Sequence, residues 1–334
     1  SLPCLHQFTG RTHRGHVRQS YGGVGRNLAD ALTRLACRPF LVSAVGEDNH
    51  ARALTAHNPR LGCEGLAVVP EASTAVYCVM LDHRGEALFG VGDMAVHNHV
   101  TPEHVRQFED RITNAPLVLV DGNLSQHTIN FVLDMCSAAH VPVWYEPTDV
   151  KKAAKPWEGG RGSAVTFTSP NLNELRALCA FLHLGEVGEA PARGEDVPQF
   201  VRSVLRAAAP LLDHAAALMV TLGSQGFVIL RRSPAGGEDE PLLPVPSCPG
   251  RGAEPVGLYF PALPAPHVAS VSGAGDCLAA GFVAGVLRGE PVGRCAAAGL
   301  RAAGFSLAAL PAVPDTLTPE ILAADPHAFS VIRL

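Results

Sequence analysis

Short apolar runs that alternate with segments of helical spacing constrain the fold of this chain more than any other feature. The runs are rich in β-branched side chains and lie at 40–45, 117–120, 141–145, 164–167 and 218–222. The helical segments lie at 25–36, 102–111, 126–139, 173–183 and 198–214. Runs that are apolar throughout are typical of strands buried on both faces of a parallel sheet. The sequence therefore predicts an open α/β sheet, in which ligands bind at the carboxyl ends of the strands.

One region departs from this alternation. Residues 74–82 and 86–91 are strand-like and flank the turn-forming residues 82–85, so they predict an antiparallel hairpin. A hairpin inserted into an α/β domain is either a lid over a ligand site or a decoration of a sheet edge, and the residues leave both open. Residues 184–198 and 231–264 are rich in Gly, Pro and charge, so we predict surface insertions there.

The composition excludes several classes of protein. Of the 334 residues, 47% are hydrophobic and 17% are charged, which is typical of a compact globular chain and not of a disordered one. The formal net charge of −5 gives no reason to expect nucleic acid or an anionic membrane as a partner. The nine cysteines form no Cys-x-x-Cys pair, and no apolar run is long enough to span a membrane. We therefore predict reduced thiols in a cytoplasmic protein.

Three small residues precede an acid at the start of an apolar segment. Gly273, Ala274 and Gly275 are followed by Asp276 and then by 277–287, which is predicted to be a buried helix. The first N–H groups of a helix lack intrahelical acceptors, and the helix dipole favours negative charge there. Two interpretations follow. Either Asp276 caps the helix, or the small residues let backbone N–H groups approach a phosphate closely.

A second glycine-rich turn leads into a helix near the start of the chain. Gly22 and Gly23 allow close backbone approach to a ligand, and Asn27 presents an amide that both donates and accepts hydrogen bonds. No strand-like run precedes these glycines, and Leu28 stands where a dinucleotide-binding G-x-G-x-x-G motif has its third glycine. A dinucleotide site is therefore excluded, and the chain also lacks the P-loop pattern G-x-x-x-x-G-K-[ST].

Two further segments place polar residues or glycines at the ends of predicted strands. Asn171 and Glu174 lie at a predicted helix start, where they either form a capping box or hold Mg²⁺ through water beside a nucleotide phosphate. Thr221, Gly223 and Gly226 lie between two strand-like runs, where they form either a hairpin turn or a place for close backbone approach to a nucleotide. The residues alone leave these alternatives open.

In their order along the chain, these motifs resemble those of the PfkB, or ribokinase-like, family of carbohydrate and nucleoside kinases. The resemblance runs from about residue 21 to residue 315, and its most specific element is the Gly-Ala-Gly-Asp segment at 273–276. Within the family, the segment GGVGRNLADALTRLA is most similar to the pseudouridine kinases. Gly92-Asp93-Met94 after the hairpin agrees with this, and so does the run VPVWYEPTDVKK, which ends at Lys152.

The resemblance implies a fold and a reaction. The fold is a single ribokinase-like domain over 1–334, a three-layer α/β sandwich with a mostly parallel central sheet, helices on both faces and a small β lid at about 74–92. The reaction is ATP-dependent phosphorylation of a nucleoside or sugar hydroxyl, with pseudouridine and its 5′-phosphate as expected substrate and product. Asp276 is the general base, and the N–H groups of Gly273, Ala274 and Gly275 hold charge on the transferred phosphoryl group.

The resemblance also implies which residues bind ligands. The substrate-binding residues are Gly22, Gly23, Asn27, Asp93 and Lys152. The nucleotide-binding residues are Asn171, Thr221, Gly223 and Gly226, with Mg²⁺ near Glu174. The expected cofactors are thus ATP and Mg²⁺, together with a monovalent cation such as K⁺. The expected partners are a small-molecule substrate and a second copy of the chain bound through the lid, with neither nucleic acid nor membrane.

The chain departs from the family pattern at three places. Family members begin with a strand that ends in a substrate-binding Asp, whereas residues 5–20 contain no acidic residue, so this first strand is expected to be missing. Ser270 stands where the family commonly has Asp, which bears on the K⁺ site, and Glu146 precedes Pro147 where Asp is more frequent. Two alternatives therefore stand beside a pseudouridine kinase. One is a kinase-fold interaction partner without activity, and the other is a kinase for another sugar or nucleoside.

Overall fold

The computed structural model describes residues 14–81, 87–188, 197–233, 239–243, 253–323, 325–326 and 329–333. Within them the strands are β1 (Ser43–Gly46), β2 (Leu66–Val69), β3 (Val76–Leu81), β4 (Ala87–Asp93), β5 (Val118–Asp121), β6 (Val143–Glu146), β7 (Phe167–Thr168), β8 (Ala217–Thr221), β9 (Phe227–Arg232), β10 (Pro255–Phe260) and β11 (Ser330–Arg333). The helices are α1 (Val24–Arg34), α2 (Asn49–His57), α3 (Pro102–Arg106), α4 (Glu109–Thr113), α5 (Gln126–Ala138), α6 (Lys155–Glu158), α7 (Leu172–Phe181), α8 (Val197–Ala208), α9 (Ala274–Leu287) and α10 (Val292–Leu307).

A seven-stranded sheet lies at the centre of the described fold, in the order β11-β10-β9-β8-β7-β6-β5. The pairings from β5 to β8 are parallel, whereas those from β8 to β11 are antiparallel. Because β10 is antiparallel to β9, it runs in the same direction as β5 to β8. Most strands of the sheet therefore share one direction, and the predicted α/β fold with a mostly parallel sheet is confirmed.

Helices cover both faces of this sheet. Successive side chains of a strand point to opposite faces, so the neighbours Trp144 and Tyr145 on β6 enter different cores. Trp144 shares a core with buried residues of α1, α9 and α10, whereas Tyr145 shares one with buried residues of α5, α7 and α8. The predicted three-layer sandwich is therefore confirmed.

Helix α9 lies inside one of these layers. Every residue from Cys277 to Val286 is buried, because the helix packs against both α1 and α10. A helix that is apolar all round is buried in a large core or in a membrane. Neither α9 nor any other helix in the described part of the chain is long and apolar enough to cross a membrane. Packing on several sides fixes where α9 begins, and so fixes the position of Asp276.

Two small sheets lie apart from the central one. Strands β3 and β4 pair in antiparallel fashion, with Val76 opposite Asp93, so the hairpin predicted within 74–92 is present. Its predicted turn at 82–85 lies outside the described residues. Strands β1 and β2 form a parallel pair. Large apolar side chains of the hairpin, such as Tyr77, Phe89 and Val91, are more than half exposed at 60%, 56% and 56%.

Several predicted elements differ from the structure. The run at 40–45 was expected in the central sheet, but β1 begins only at Ser43 and pairs with β2, because an apolar run does not specify its partner. The predicted insertion at 231–264 contains β10, whose Leu258 is fully buried in the central sheet. The strand was missed in the sequence because the Gly and Pro residues around it are typical of a loop. The expected helix at 102–111 is divided into α3 and α4, and the strand at 164–167 begins only at Phe167.

Candidate active site

The starts of α1 and α9 meet above the carboxyl end of β5. Asn27 Nδ2 donates a hydrogen bond to Asp276 Oδ2 at 2.6 Å, and these residues are 249 positions apart in sequence. The backbone N–H of Gly25 donates to Asp121 Oδ2 at 2.9 Å, at the last residue of β5. The structure therefore brings Asn27 and Asp276 together at the edge of the sheet where ligands bind in α/β folds.

Asp276 does not cap α9. The N-cap of α9 is Gly273, which has no side chain, and Asp276 is the third residue inside the helix. Its carboxylate accepts from the Asn27 amide and not from a backbone N–H of its own first turn. Of the two interpretations of this segment, the cap is therefore wrong, and the carboxylate faces the site.

The small residues before Asp276 differ in whether the surrounding structure has room for a side chain. Gly273 has φ +81°, and a Cβ there would lie 2.5 Å from the carbonyl oxygen of Ala312, so only glycine fits. At Gly275 a Cβ would meet no heavy atom within 4 Å. The start of α9 is thus open on the side of Gly275, where an anion could approach the helix N-terminus.

Several neighbours act on the pKa of Asp276. Burial raises this pKa to about 6, while the hydrogen bond from Asn27 and the positive charge of Arg26 lower it and Asp121 raises it. A carboxylate with a pKa near neutrality can accept a proton during a reaction at physiological pH. Asp276 is therefore a candidate for the general base expected from the sequence.

Two further carboxylates surround the site. Burial raises the pKa of Glu146, at the end of β6, well above its ordinary value, and the nearby charge of Asp276 adds to this. Glu146 accepts a hydrogen bond from Ser169, whose oxygen in turn accepts from Trp144 Nε1 at 2.6 Å. Asp121 accepts the Gly25 N–H described above. Asp121 was missed as a candidate, although its position directly after the predicted strand 117–120 could have identified it.

Lys152 lies on the same side of the site as Asp121. Its Nζ donates to Asn123 Oδ1 at 2.8 Å and pairs with Asp149 at 2.7 Å. Burial lowers the pKa of His97. The charge of Asp121 raises this pKa and the charge of Lys152 lowers it, so the three groups are neighbours.

The remaining candidate on the hairpin lies apart from this group. Asp93 ends β4, is exposed, and accepts only a long hydrogen bond, 3.4 Å, from the Ala95 N–H among the contacts found in the described residues. The structure therefore does not join Asp93 to Asn27 or Asp276, and its predicted role remains a prediction. Gly22 and Gly23 are exposed at the start of α1, where Gly23 is the N-cap.

Asn171 and Glu174 form a capping box. Asn171 Oδ1 accepts from the N–H of Glu174 at 3.0 Å, and Glu174 Oε2 accepts from the N–H of Asn171 at 2.8 Å. Of the two alternatives predicted for this pair, the capping box is therefore present. Burial raises the pKa of Glu174, its hydrogen bonds with Asn171 lower it, and the charges of Asp149 and Asp276 raise it further. A capping role does not exclude a metal role, because each carboxylate has two oxygens.

Residues 221–226 connect two antiparallel strands. β8 and β9 pair directly, so this segment is a hairpin turn, and Thr221 lies beside Asn171 through a bridge between strand ends. Gly226 has φ +94°, and a Cβ there would collide with the backbone of Phe260. A Cβ at Gly223 would meet no heavy atom within 4 Å, so this turn has an open face.

Comparison with known proteins identifies the family. The family model described as pfkB family carbohydrate kinase matches residues 5–313. The chain is 29% identical to a pseudouridine kinase of Arabidopsis thaliana over 97% of this chain and 91% of that protein. It is 32% identical to a pseudouridine kinase of Escherichia coli (strain K12), over 49% of this chain and 52% of that protein.

A solved structure supports the fold. The ribokinase of Arabidopsis thaliana, complexed with ribose and ATP, superposes with a TM-score of 0.70 at 20% sequence identity. The superposition covers 95% of this chain and 92% of that one. The ribokinase-like fold predicted from the sequence motifs is therefore confirmed.

Proposed function

This chain belongs to the pfkB family of carbohydrate kinases, and from that premise we propose that it transfers the γ-phosphoryl group of ATP to pseudouridine, forming pseudouridine 5′-phosphate. Near full-length similarity to the pseudouridine kinase of Arabidopsis thaliana supports the choice of substrate. The observation that carries the proposal is the hydrogen bond between Asn27 and Asp276 beside the open start of α9. A carboxylate and an open helix N-terminus therefore lie within one site, which supports roles in accepting a proton and binding an anion.

In the proposed reaction, Asp276 removes the proton from the attacking hydroxyl. Its carboxylate receives that proton on an oxygen as the hydroxyl attacks, and its raised pKa makes it a stronger base than an ordinary carboxylate while it stays largely ionised at neutral pH. The Asn27 amide orients the carboxylate and lies where a sugar hydroxyl can also bind. Gly23 and Lys152 supply further substrate contacts, and Asp93 reaches the substrate only if the hairpin closes over the site.

The start of α9 stabilises the transferred group. The N–H groups of Gly273, Ala274 and Gly275 lie in the first turn or directly before it, where the helix dipole is positive. Phosphoryl transfer demands positioning and charge stabilisation more than covalent chemistry. Backbone donors at this point hold the developing charge without having to reorganise.

The nucleotide-binding residues fit ATP. Asn171 and Thr221 lie side by side, and the open face of Gly223 leaves room for a nucleotide against the backbone. Gly226 shapes the same turn. Mg²⁺, when bound, would neutralise charge on the phosphates. Among the described residues no group of three or more His, Cys, Asp or Glu could hold a metal ion. Glu174 would hold Mg²⁺ through water, as is usual for this ion beside phosphates.

The residues at the expected K⁺ position fit that ion less well. Ser270 replaces the acid that the family commonly has, and its hydroxyl already accepts the N–H of Ser272 at 3.1 Å. No step of the proposed reaction depends on K⁺. For the oligomeric state, we propose a homodimer through the hairpin, because Met80, Phe89 and Val91 leave one apolar face of it exposed.

Replacing Asn27 by Ala should lower kcat/KM for the nucleoside by ~10-fold or more, because it removes a hydrogen bond in a desolvated site. Asn27 is 4% exposed, so no water easily replaces its amide. Steady-state kinetics measure the effect. The matched control is Asn58→Ala, which removes an amide that donates to buried Asp30 at 2.6 Å. It should lower the melting temperature without changing kcat/KM. A negligible kinetic effect of Asn27→Ala would move the sugar site elsewhere.

Replacing Glu174 by Gln should raise the Mg²⁺ concentration needed for half-maximal activity by ~10-fold or more, as for other residues that hold a metal indirectly. Gln also completes a capping box, so the melting temperature should stay close to that of the wild type. Titration of activity with MgCl₂ measures the shift, and Glu103→Gln in the first turn of α3 is the control. An unchanged Mg²⁺ requirement would leave Glu174 with the capping role only.

The activity should fall as the pH drops through about 6, the pKa of Asp276. Below this value the base is protonated, so kcat/KM should lose about a factor of ten per pH unit. Stability should respond in the opposite direction. Because folding raises the pKa of this carboxyl, the folded state binds more protons than the unfolded state between the two pKa values. The contribution of Asp276 to the free energy of unfolding therefore declines as the pH rises toward 6. A pH profile of kcat/KM tests the activity. An acid limb that persists unchanged in the residual activity of Asp276→Asn would contradict the assignment.

Release of ADP with pseudouridine, uridine, adenosine and ribose as acceptors tests the proposal as a whole. The highest kcat/KM is expected for pseudouridine. A preference for ribose or adenosine would be consistent with a kinase of this family but would contradict pseudouridine as its substrate. No ADP release with any acceptor would favour a kinase-fold protein that acts as an interaction partner.

A further inference from the structure

Arg26 lies at the centre of a buried hydrogen-bond network at the start of α1. Its side chain is 9% exposed. Its Nε donates to the carbonyl of Gly22 at 3.1 Å, Nη2 donates to the carbonyl of Tyr21 at 2.7 Å, and Nη1 donates to Asp30 Oδ2 at 2.7 Å. Nη2 also donates to the side-chain oxygen of Asn27. One planar guanidinium thus joins the Gly-Gly turn, the buried Asp30 and the amide that contacts Asp276.

This network determines which way the Asn27 amide points. The two ends of an amide have nearly the same shape but opposite hydrogen-bonding character. With Oδ1 against the Arg26 guanidinium, Nδ2 faces Asp276 and donates to it at 2.6 Å. The reversed orientation would place an NH₂ group against a guanidinium that only donates, and an oxygen against a carboxylate that only accepts. Both contacts would then be repulsive.

The charges around Asp276 make this orientation important. Arg26 and Asn27 face it from α1, Asp121 from β5, Glu146 from β6 and Glu174 from α7. The three carboxylates disfavour a negative charge on Asp276, whereas Arg26 and the Asn27 donor favour it. A guanidinium stays protonated throughout the physiological range, so its influence is permanent.

We propose that Arg26 is a positioning residue that holds the Asn27 amide in the one orientation in which its NH₂ group donates to Asp276. This rests on the proposed kinase function, and it goes beyond it by giving a role to a residue that contacts neither the reacting hydroxyl nor ATP. Lysine cannot replace Arg26, because an ammonium lacks the planar fork that reaches two carbonyls, a carboxylate and an amide at once.

The test compares Arg26→Lys with Arg34→Lys. Arg34 binds the same Asp30 at 2.8 Å and also pairs with Asp315, but it has no described contact with Asn27 or the Gly-Gly turn. Both variants should lose stability. Arg26→Lys should also shift the acid limb of the kcat/KM profile upward by about one pH unit, which lowers activity several-fold at pH 6 and little at pH 8. Arg34→Lys should leave the midpoint of the profile unchanged.

A double-mutant comparison tests the path of the effect. If Arg26 acts through the amide, Arg26→Lys should shift the profile much less in an Asn27→Ala background than in the wild type. An equal shift in both backgrounds, or no shift in Arg26→Lys, would overturn the proposal. A wild type without kinase activity would instead overturn the proposed function.

An NMR measurement tests the contact between Asn27 and Asp276 in the wild type, and it does not depend on catalytic activity. NMR of the unliganded wild type follows the side-chain amide protons of Asn27 as the Asp276 carboxyl is titrated. An amide that donates to Asp276 should shift with the same midpoint as the carboxyl. Amide signals that do not respond to this titration would overturn the proposal, even if the Arg26 variants fail to fold.

Discussion

Replacing Asp276 by Asn is expected to lower turnover by ~10²-fold or more, because the variant keeps the shape of the side chain and loses the proton acceptor. Folding should not suffer. The amide oxygen still accepts from Asn27, no cap is lost, and removal of a carboxyl whose pKa burial raises to about 6 relieves an unfavourable charge. The melting temperature should therefore stay the same or rise at pH 8. Steady-state kinetics, thermal denaturation and calorimetric binding of ATP measure the three quantities.

The control for this prediction is a carboxylate that does cap a helix. Asp48 is the N-cap of α2, accepts from the Ala51 N–H at 2.8 Å and from the Thr74 N–H at 2.7 Å, and these bonds lower its pKa to about 2. Asp48→Asn should lower the melting temperature, while turnover per folded molecule should remain unchanged. If Asp276→Asn behaved like this control, Asp276 would be a structural residue and not the base.

Replacing Gly273 by Ala should cost both stability and activity. A left-handed backbone costs ~1–2 kcal/mol in a residue with a Cβ. The 2.5 Å approach of that Cβ to the Ala312 carbonyl oxygen adds to this cost. To relieve the contact, the start of α9 must move, and a displacement of about 1 Å in a site can lower the rate ~10²-fold. Chemical denaturation and kcat at saturating substrates measure the two effects.

The other end of α9 provides the matched control. Gly289 has φ +71°, but a Cβ there would meet no heavy atom within 4 Å. Gly289→Ala should therefore lose only the ~1–2 kcal/mol of the left-handed conformation and keep its turnover. Equal losses of activity in both variants would show that general destabilisation of α9, and not displacement of its first turn, lowers the rate.

Local patterns in the sequence predicted most of the central architecture. The alternation of apolar runs and helical segments identified β5, β6, β8 and their neighbouring helices, because both faces of these strands are buried. The same reasoning placed β1 in the central sheet, where it does not belong, since an apolar run does not specify which strand it pairs with. It also missed β10, because Gly and Pro residues around 255–260 resemble a loop.

The site was predicted in part. Glycine and polar motifs located Asn27 and Asp276, and the structure joins them. The roles of Asp121 and Arg26 depend on contacts between distant segments. Asp121 meets α1 across 96 positions, and the carbonyls of the Gly-Gly turn become acceptors for Arg26 only when α1 has formed. Whether Asp276 caps its helix also depended on where α9 begins, which patterns of small residues leave uncertain by a few positions.

The most direct test of the account follows the phosphoryl group itself. Wild-type protein is incubated with Mg²⁺, ATP and pseudouridine, and the products are observed by ³¹P and ¹H NMR. The account predicts ADP and a phosphomonoester in equal amounts, with the phosphorus coupled to the 5′ protons of pseudouridine. Formation of ADP and inorganic phosphate with pseudouridine unchanged, or no consumption of ATP at all, would contradict it.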